Sequence, residues 1–335
     1  MSENSTRIKL LKLYELLQRE TDEEHPLSRG ELCGRLNAQG IPCHVKTVTR
    51  DIAALNEYGY EVCGFMEGRE KYYYVPDREF SIPELKIMID AVQASSFVTE
   101  KKTADMIEKI AALGGSYRKQ LLKRSFAKFN SRKHSNESIF YNIDGIETAI
   151  RTRKNISFLY FDLDVNKQKV LRTGEDGEPK RYVVEPVALI LSEDNYYLRS
   201  IIRNETVKTF TFRVDRMEQV NVIEDSRTSD EALAERKTVA SYTEQAFRMH
   251  SGAPARVKLV FNKSSIGPVV DKFGEGIRMK AVDDTSCTAT VSVFVGKTFF
   301  GWLAQFGTNT QIAAPEWVGE EYRKHLVAII EEIGE

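Results

Sequence analysis

The chain has 335 residues, which suggests two or three domains at ~100–200 residues each. It carries 48 basic and 49 acidic side chains, and this net charge of −1 excludes a globally basic nucleic-acid coat while leaving room for a local basic patch. A hydrophobic share of 41% excludes wholesale disorder. There is no apolar run near the ~18 residues of a membrane helix and no apolar signal core, and the four cysteines lack the spacing of a zinc site. We therefore expect a cytoplasmic protein with reduced thiols.

The first 78 residues have the pattern of three short helices followed by a hairpin. Ser28 and Glu31 form a capping box that opens the second helix. The third helix has a predicted buried stripe of Val45, Val48, Ile52 and Leu55. Two strands, Val62–Phe65 and Lys71–Val75, then flank a turn at Glu67-Gly68. This order predicts a winged helix-turn-helix domain over residues 1–78.

The start of the third helix carries the candidate DNA contacts. In a winged helix-turn-helix domain, the second helix of the motif enters the major groove with its N-terminal residues on base edges. Lysine and arginine suit guanine or phosphate, and threonine suits several base edges. The predicted DNA-binding residues, with two cations of the hairpin on the DNA backbone, are Lys46, Thr47, Thr49, Arg50, Arg69 and Lys71. The alternative is a winged helix that binds protein, because this fold also serves without DNA.

Residues 79–138 are predicted to be a helical linker with an unusual charge distribution. Between Lys109 and Asn136 there are eight basic residues and no acidic one. They are Lys109, Arg118, Lys119, Lys123, Arg124, Lys128, Arg132 and Lys133. Either this run is a solvated connector face, or it forms a basic strut near nucleic-acid phosphates.

Residues 139–226 change to a strand pattern. Asp144 is expected to cap a short helix that runs to Lys154. The predicted strands are Asn155–Asp162, Arg181–Leu191, Tyr196–Arg203 and Thr206–Val214, with Asn204-Glu205 as one of the turns. Several short antiparallel strands in a row predict a small β-barrel.

The last hundred residues predict a second α+β domain. Asp225 to Asp230 is expected to be a linker, and a helix follows from about residue 236. The order strand–helix–strand–strand–helix–strand, with one more helix, then predicts a split βαβ, ferredoxin-like unit over residues 236–335. The whole chain is therefore expected to be an α+β multidomain protein.

Four short motifs in this order resemble WYL-domain transcriptional regulators. The first runs from Thr47 to Ile52, with Leu55 and Tyr58-Gly59, and is similar to the family's winged-helix start. The others are Val184-Glu185-Pro186-Val187, Tyr196-Tyr197-Leu198 at the naming Trp-Tyr-Leu triplet, and Phe212-Arg213-Val214-Asp215-Arg216-Met217. Trp302-Leu303 through Gly307, then Ala314-Pro315, resembles the C-terminal extension of many such proteins. Tyr196 departs from the family's tryptophan, so it keeps a stacking ring but loses the indole donor.

The resemblance implies an architecture and a function. The architecture is a winged helix, a helical linker, an Sm-like WYL barrel and a C-terminal extension. The implied function is that of a transcription regulator whose barrel senses an effector, often a nucleotide or single-stranded nucleic acid, and whose double-stranded DNA operator is bound by a homodimer. We expect a repressor that recognises an inverted repeat.

The arginines and tyrosines of the predicted barrel are the candidate effector ligands. Alternation along a strand places Tyr197, Arg199 and Arg203 on one face. Tyrosine can stack a base, and arginine can hold a phosphate. The predicted effector-binding residues, expected to border one basic, aromatic-lined surface, are Tyr160, Tyr197, Arg199, Arg203, Arg213 and Arg216. The alternatives are that the Tyr196-Tyr197-Leu198 triplet is core, and that Arg213 and Arg216 form ion pairs with Asp215 or Glu185.

Enzyme motifs are missing from the sequence. It has no GxSxG, P-loop, GxGxxG or HExxH pattern, so we expect no catalytic activity, metal or cofactor. Asp162 and Asp164 place two carboxylates on one strand face, which leaves a nucleic-acid-processing enzyme as a weaker alternative.

Overall fold

A computed structural model describes residues 3–124, 133, 137–203, 206–245 and 252–333. The chain divides into two compact units, Met1–Ser135 and Asn136–Glu335. None of the helices within these described ranges is long and apolar enough to cross a membrane.

The first unit begins with a winged helix. Its elements are α1 (Glu3–Glu20), β1 (Leu27–Ser28), α2 (Arg29–Ala38), α3 (Val45–Glu57), β2 (Cys63–Glu67) and β3 (Glu70–Tyr74). The three strands pair antiparallel in the order β1-β3-β2. Ser28 Oγ accepts from the Glu31 N–H, and the Glu31 carboxylate accepts from the Ser28 N–H, which is the predicted capping box. Three helices and a hairpin are therefore present as expected.

The third helix, α3, packs through a shorter stripe than expected. Val48, Ile52 and Leu55 are buried against leucines of α1 and α2. Val45 was expected in this stripe but is 41% exposed. It is the first residue of the helix, so its side chain lies beyond the end of the core.

Three further helices complete the first unit: α4 (Ile82–Ala94), α5 (Glu100–Ala112) and α6 (Gly115–Arg124). Their core includes Leu85, Ile89, Ala111 and Leu122.

Three lysines of the basic run pair with two carboxylates of α5. Lys119 and Lys123 both pair with Glu108, and Lys109 pairs with Asp105. Lys133 donates to three carbonyl oxygens, those of Val92, Gln93 and Ser95, at the end of α4. These contacts fit a connector face rather than a strut for phosphates. The side chains of Arg124, Lys128 and Arg132 lie outside the described part of the chain.

The second unit begins with α7 (Ser138–Thr152) and a six-stranded sheet. The strands are β4 (Asn155–Leu163), β5 (Lys169–Leu171), β6 (Arg181–Ser192), β7 (Asn195–Arg203), β8 (Val207–Arg213) and β9 (Met217–Ile223). Asp144 does not cap α7, since this helix begins six residues earlier, at Ser138. The helix ends where Arg153 takes a left-handed conformation, with φ of 56°.

The expected closed barrel is not formed. The strand order is β5-β4-β6-β7-β8, and β9 pairs with β4. Register shifts at Ser157/Leu159 and Pro186/Ala188 bend the sheet, but no pairing in the described ranges joins β8 to β5 or β9. A short 3-10 turn, Val214–Arg216, instead carries the chain from β8 to β9. The result is an open, curved antiparallel sheet.

The rest of the second unit has the element order expected of a split βαβ domain. Two short helices, α8 (Asp230–Arg236) and α9 (Val239–Gln245), come first, so helix begins six residues before position 236. The following elements are β10 (Ala253–Asn262), α10 (Ile266–Phe273), β11 (Met279–Ala281), β12 (Ser286–Val295), α11 (Lys297–Ala304), β13 (Thr310–Ala314) and α12 (Glu316–Ile333). Their antiparallel sheet has the order β11-β12-β10-β13.

Candidate functional site

Two cations are exposed at the start of α3. Lys46 and Arg50 are exposed and lie one helical turn apart in α3, on the side away from the buried stripe. Neither makes an ion pair or a hydrogen bond to any residue in the described ranges. Their donors are therefore available to a ligand outside this unit.

The two threonines of this helix are already used inside the protein. Thr47 Oγ1 accepts from Lys9 Nζ at 3.2 Å and donates to the His44 carbonyl oxygen at 2.9 Å. The Tyr73 hydroxyl donates to Thr49 Oγ1 at 3.1 Å and so ties the wing to α3. The threonines thus orient the helix that carries Lys46 and Arg50.

The wing adds two cations at its tip. Arg69 is exposed in the turn between β2 and β3. Lys71 Nζ lies 5.2 Å from the ring centroid of Tyr73, and the lysine is half-buried. Arg69 is therefore the more accessible of the two predicted backbone contacts.

A buried ion pair fixes α3 against α1. Lys9 Nζ lies 2.5 Å from Asp51 Oδ2, and the two side chains are only 5% and 10% exposed. The contact is an ion pair without a directed hydrogen bond to that oxygen. Lys9 thus contacts α3 at Thr47 and, one helical turn later, at Asp51. These contacts help to set the direction of Lys46 and Arg50.

The predicted effector residues do not form one surface. The β7–β8 register places Leu198 opposite Phe212 and Ile202 opposite Lys208, and these residues share one face. Tyr197, Arg199, Arg203 and Arg213 lie on the opposite face, on which α8 packs through Ala232 and α9 through Tyr242. Tyr160 lies instead in a buried ring cluster with Phe158, Tyr182 and Phe212, on the first face.

Each of the four predicted arginines has an acidic partner. These contacts are Arg199 to Glu235 at 2.9 Å, Arg203 to Glu185 and Glu231, Arg213 to Asp215 at 2.9 Å, and Arg216 to Asp162 at 3.4 Å. Arg199 also lies 3.9 Å over the Tyr242 ring of α9. The hydrogen bonds from Arg213 to Asp215 raise the pKa of this arginine. The ion-pair alternative for Arg213 therefore has the expected partner, whereas Glu185 pairs with Arg203.

The open side of the sheet forms a groove of about 950 Å³. Its aromatic floor is Tyr182 of β6 with Phe210 and Phe212 of β8, and Phe210 is 41% exposed. The groove lies on the open sheet, whose edge strand β8 pairs with neither β5 nor β9 in the described ranges. Of the predicted effector residues, only Arg203 lines it.

Five cationic residues line the groove: Arg172, Lys180, Arg181, Arg203 and Lys208. Lys180 Nζ is 5.2 Å from the Tyr182 ring centroid, and Lys208 follows the same alternation as Phe210 and Phe212. Neither lysine has an acidic partner in the described part of the chain. Arg172 contacts Asp162 through two nitrogens, at 2.7 and 3.1 Å, and this pairing raises the pKa of Arg172 and lowers that of Asp162.

The groove residues were not predicted from the sequence, although the sequence contains one signal for them. Lys208 and Phe210 alternate within a predicted strand, but the predicted effector-binding residues were chosen from the arginines of the neighbouring motifs. Lys180 precedes its strand by one residue, and its position depends on how β6 curves. That curvature follows from tertiary packing.

The family model described as the WYL domain matches residues 142–222, the segment from α7 to β9. Residues 142–222 of the chain form a WYL domain. The predicted resemblance is confirmed at this domain. No curated protein matches the chain.

Solved structures show only distant similarity to this WYL-domain protein. Proteasome accessory factor B/C (PafBC) of Arthrobacter aurescens is 17% identical, with a TM-score of 0.28, over 94% of this chain and 47% of that one. The chain thus spans about half the length of PafBC. A CRISPR Cas-related protein is 11% identical, with a TM-score of 0.38, over 99% of this chain and 84% of that one. Both TM-scores are below 0.5, so neither similarity defines this fold.

The Glu-Pro motif of the WYL domain anchors α8. Glu185 Oε2 accepts from the backbone N–H of Ser229 at 2.9 Å and from its hydroxyl at 2.5 Å, and Oε1 accepts from Arg203. Ser229 is the N-cap of α8. Burial raises the pKa of Glu185, but the hydrogen bonds from Ser229 and Arg203 outweigh it, so the pKa is lowered overall. The carboxylate therefore stays ionised and holds α8 on the sheet.

The naming triplet is mostly core in this WYL domain. Leu198 is fully buried, and Tyr197 is 8% exposed and packs with Ile190 and Tyr242. Tyr196 is half-buried. The alternative that the triplet is core therefore holds for Tyr197 and Leu198.

The paired carboxylates at the end of β4 have protein partners. Asp162 lies between Arg172 and Arg216, and Asp164 Oδ1 accepts from the backbone N–H groups of Asn166 and Gln168. Across the described ranges, no cluster of three or more His, Cys, Asp or Glu side chains could hold a metal ion.

Proposed function

We propose that this WYL-domain protein is a DNA-binding transcriptional repressor. Its winged helix reads an operator, and its WYL domain binds an effector, a nucleotide or single-stranded nucleic acid, that releases it from DNA. The observation that carries the proposal is the pair Lys46 and Arg50, which are exposed at the start of the recognition helix with no protein partner in the described ranges. These are the side chains that suit guanine and phosphate, at the position that enters the major groove.

The contacts that fix α3 within the winged helix support the proposal. The buried Lys9–Asp51 pair and the Tyr73–Thr49 hydrogen bond fix α3 against α1 and the wing. A fixed helix presents its cations in one geometry, which sequence-specific reading requires. In this proposal Thr47 and Thr49 orient the helix and contact DNA through their remaining hydrogen-bonding capacity, and Arg69 and Lys71 contact the backbone.

The proposal is tested by selecting duplex DNA from a randomised pool and measuring affinity against salt concentration. Each neutralised phosphate contributes about −0.9 to the slope of log K against log salt. A protein-binding adaptor would select no sequence and would show only weak, non-specific duplex binding. A selected sequence that is bound at nanomolar concentration supports the repressor.

The proposed repressor acts as a homodimer on an inverted repeat. One recognition helix offers few base contacts, so specific affinity usually requires two half-sites about one helical turn apart. Light scattering on the full chain is expected to give twice the mass of 38.2 kDa. A monomer that binds one half-site tightly would contradict this part of the proposal.

A further inference from the structure

We propose that the groove between β6 and β8 is a binding site for a ligand that carries a planar ring and phosphate groups. The ring stacks on Phe210 and Tyr182, and Lys180 and Lys208 hold the phosphates from opposite walls. The inference deepens the proposed function, and rests on it only in identifying this ligand as the effector. It places the effector site away from Arg199, Arg213 and Arg216.

Shape and volume favour this groove. A volume of about 950 Å³ lies at the upper end of the ~300–1,000 Å³ typical of ligand sites. On the opposite face of β7, Arg199 is paired with Glu235 of α8 and covered by Tyr242 of α9. The groove is therefore the accessible concave surface of this sheet.

Charge favours an anion. Lys180, Arg181 and Lys208 lack acidic partners in the described ranges, whereas Arg172 is balanced by Asp162 and Arg203 by Glu185 and Glu231. Glu185 is the one acidic residue among the described residues that line the groove, and its carboxylate is bound to Ser229 and Arg203. Three unbalanced cations at one groove repel one another, and a bound anion reduces that repulsion.

The aromatic floor selects for a ring. Phe210 is 41% exposed, which is unusual for phenylalanine, and a half-buried tyrosine continues the same surface. Bases stack on such rings with little sequence preference. Inorganic polyphosphate can use the two lysines but not Phe210, so its affinity is expected to be weaker.

The test measures ligand binding by the full chain without operator DNA. The probe is a fluorescein-labelled single strand of about ten nucleotides, within the site sizes of single-strand binders. ATP and tripolyphosphate serve as unlabelled competitors. All measurements are repeated in a Lys46→Ala/Arg50→Ala background, so that binding by the winged helix does not contribute.

The groove variants have a matched control. Lys180→Ala/Lys208→Ala and Phe210→Ala should each weaken binding of the probe about tenfold or more. Lys169→Ala, the control, removes an exposed cation of the same sheet that does not line the groove and contacts Glu218 Oε1 at 2.6 Å, so binding should be unchanged. Circular dichroism checks that each variant is folded.

The outcomes separate the ligand's source and the site itself. Competition by ATP at similar concentration supports a free nucleotide, and competition only by the single strand supports a nucleic-acid segment. Equal weakening by Lys169→Ala and Lys180→Ala/Lys208→Ala, or unchanged binding in the groove variants, overturns the site. Competition by tripolyphosphate as strong as by ATP overturns the stacking on Phe210. Because no operator is used, loss of duplex recognition would refute the repressor without affecting this site.

Discussion

The Lys9–Asp51 ion pair provides a direct test of how the recognition helix is held. Replacing Asp51 with asparagine leaves the Lys9 ammonium buried without a counter-charge. Both side chains are at most 10% exposed, so solvent screens the pair little. Breaking a buried pair by removing one partner costs about 3–5 kcal/mol. We expect Asp51→Asn to destabilise the winged helix by an amount in this range.

The double variant Lys9→Met/Asp51→Leu is the matched control. It removes both charges and keeps similar volumes, and such replacements are often neutral or stabilising. We therefore expect it to recover most of the stability that Asp51→Asn loses.

Hydrogen exchange of peptides from α1 and α3 is the appropriate assay, because the chain has two units and global unfolding would mix them. Exchange in α3 should accelerate by more than about a hundredfold in Asp51→Asn, the factor that corresponds to 3 kcal/mol. Equal protection in Asp51→Asn and the wild type would refute the reasoning. Faster exchange in the double variant than in Asp51→Asn would also refute it.

Two more predictions concern stability. Gly64→Ala should destabilise the wing, because the new Cβ would lie 2.8 Å from Tyr73 Cδ1 and 3.0 Å from the Tyr72 carbonyl oxygen. Gly34→Ala, in open space on α2, should instead stabilise the protein by ~1 kcal/mol. Hydrogen exchange of the wing and α2 amides checks both predictions. Glu185 has a lowered pKa, so its stabilising effect is present above the usual value of 4.5 and is lost as pH falls through the folded-state pKa. Urea unfolding followed by tryptophan fluorescence, which reports only the second unit, should therefore show a larger loss of stability below about pH 4.5 in wild type than in Glu185→Gln. The same loss in both proteins would contradict the role of this carboxylate.

The sequence was sufficient for the elements whose signals are local. The capping box at Ser28, the apolar period of α3 and the strand–helix order after residue 253 each depend on neighbouring residues, and each is present in the structure. Val45 shows the limit of this reasoning, because periodicity alone does not reveal where the core ends along a helix.

The arrangement of the candidate effector site depends on contacts that are distant in sequence. Alternation correctly grouped Tyr197, Arg199 and Arg203, but it contained no information that α8 and α9 would cover that face. Barrel closure likewise depends on whether two edges meet after the bends in β4 and β6. Alternation could place Lys208 and Phe210 on one face of β8, but it could not predict the groove, which depends on that open edge.

We propose that Lys46 and Arg50 read operator DNA, and comparing the duplex affinities of three forms of the protein tests this proposal. The duplex selected from a random pool is titrated with wild type, with Lys46→Ala/Arg50→Ala and with Lys119→Ala/Lys123→Ala, whose lysines pair with Glu108 on the linker helices. Loss of a base-reading arginine costs about 1–3 kcal/mol, and loss of a phosphate contact reduces the salt slope by about 1. We predict that Lys46→Ala/Arg50→Ala binds the selected duplex at least tenfold more weakly, with relaxed sequence preference and a shallower salt slope. Lys119→Ala/Lys123→Ala should bind it like the wild type. Wild-type affinity and preference in a folded Lys46→Ala/Arg50→Ala variant would contradict the proposal.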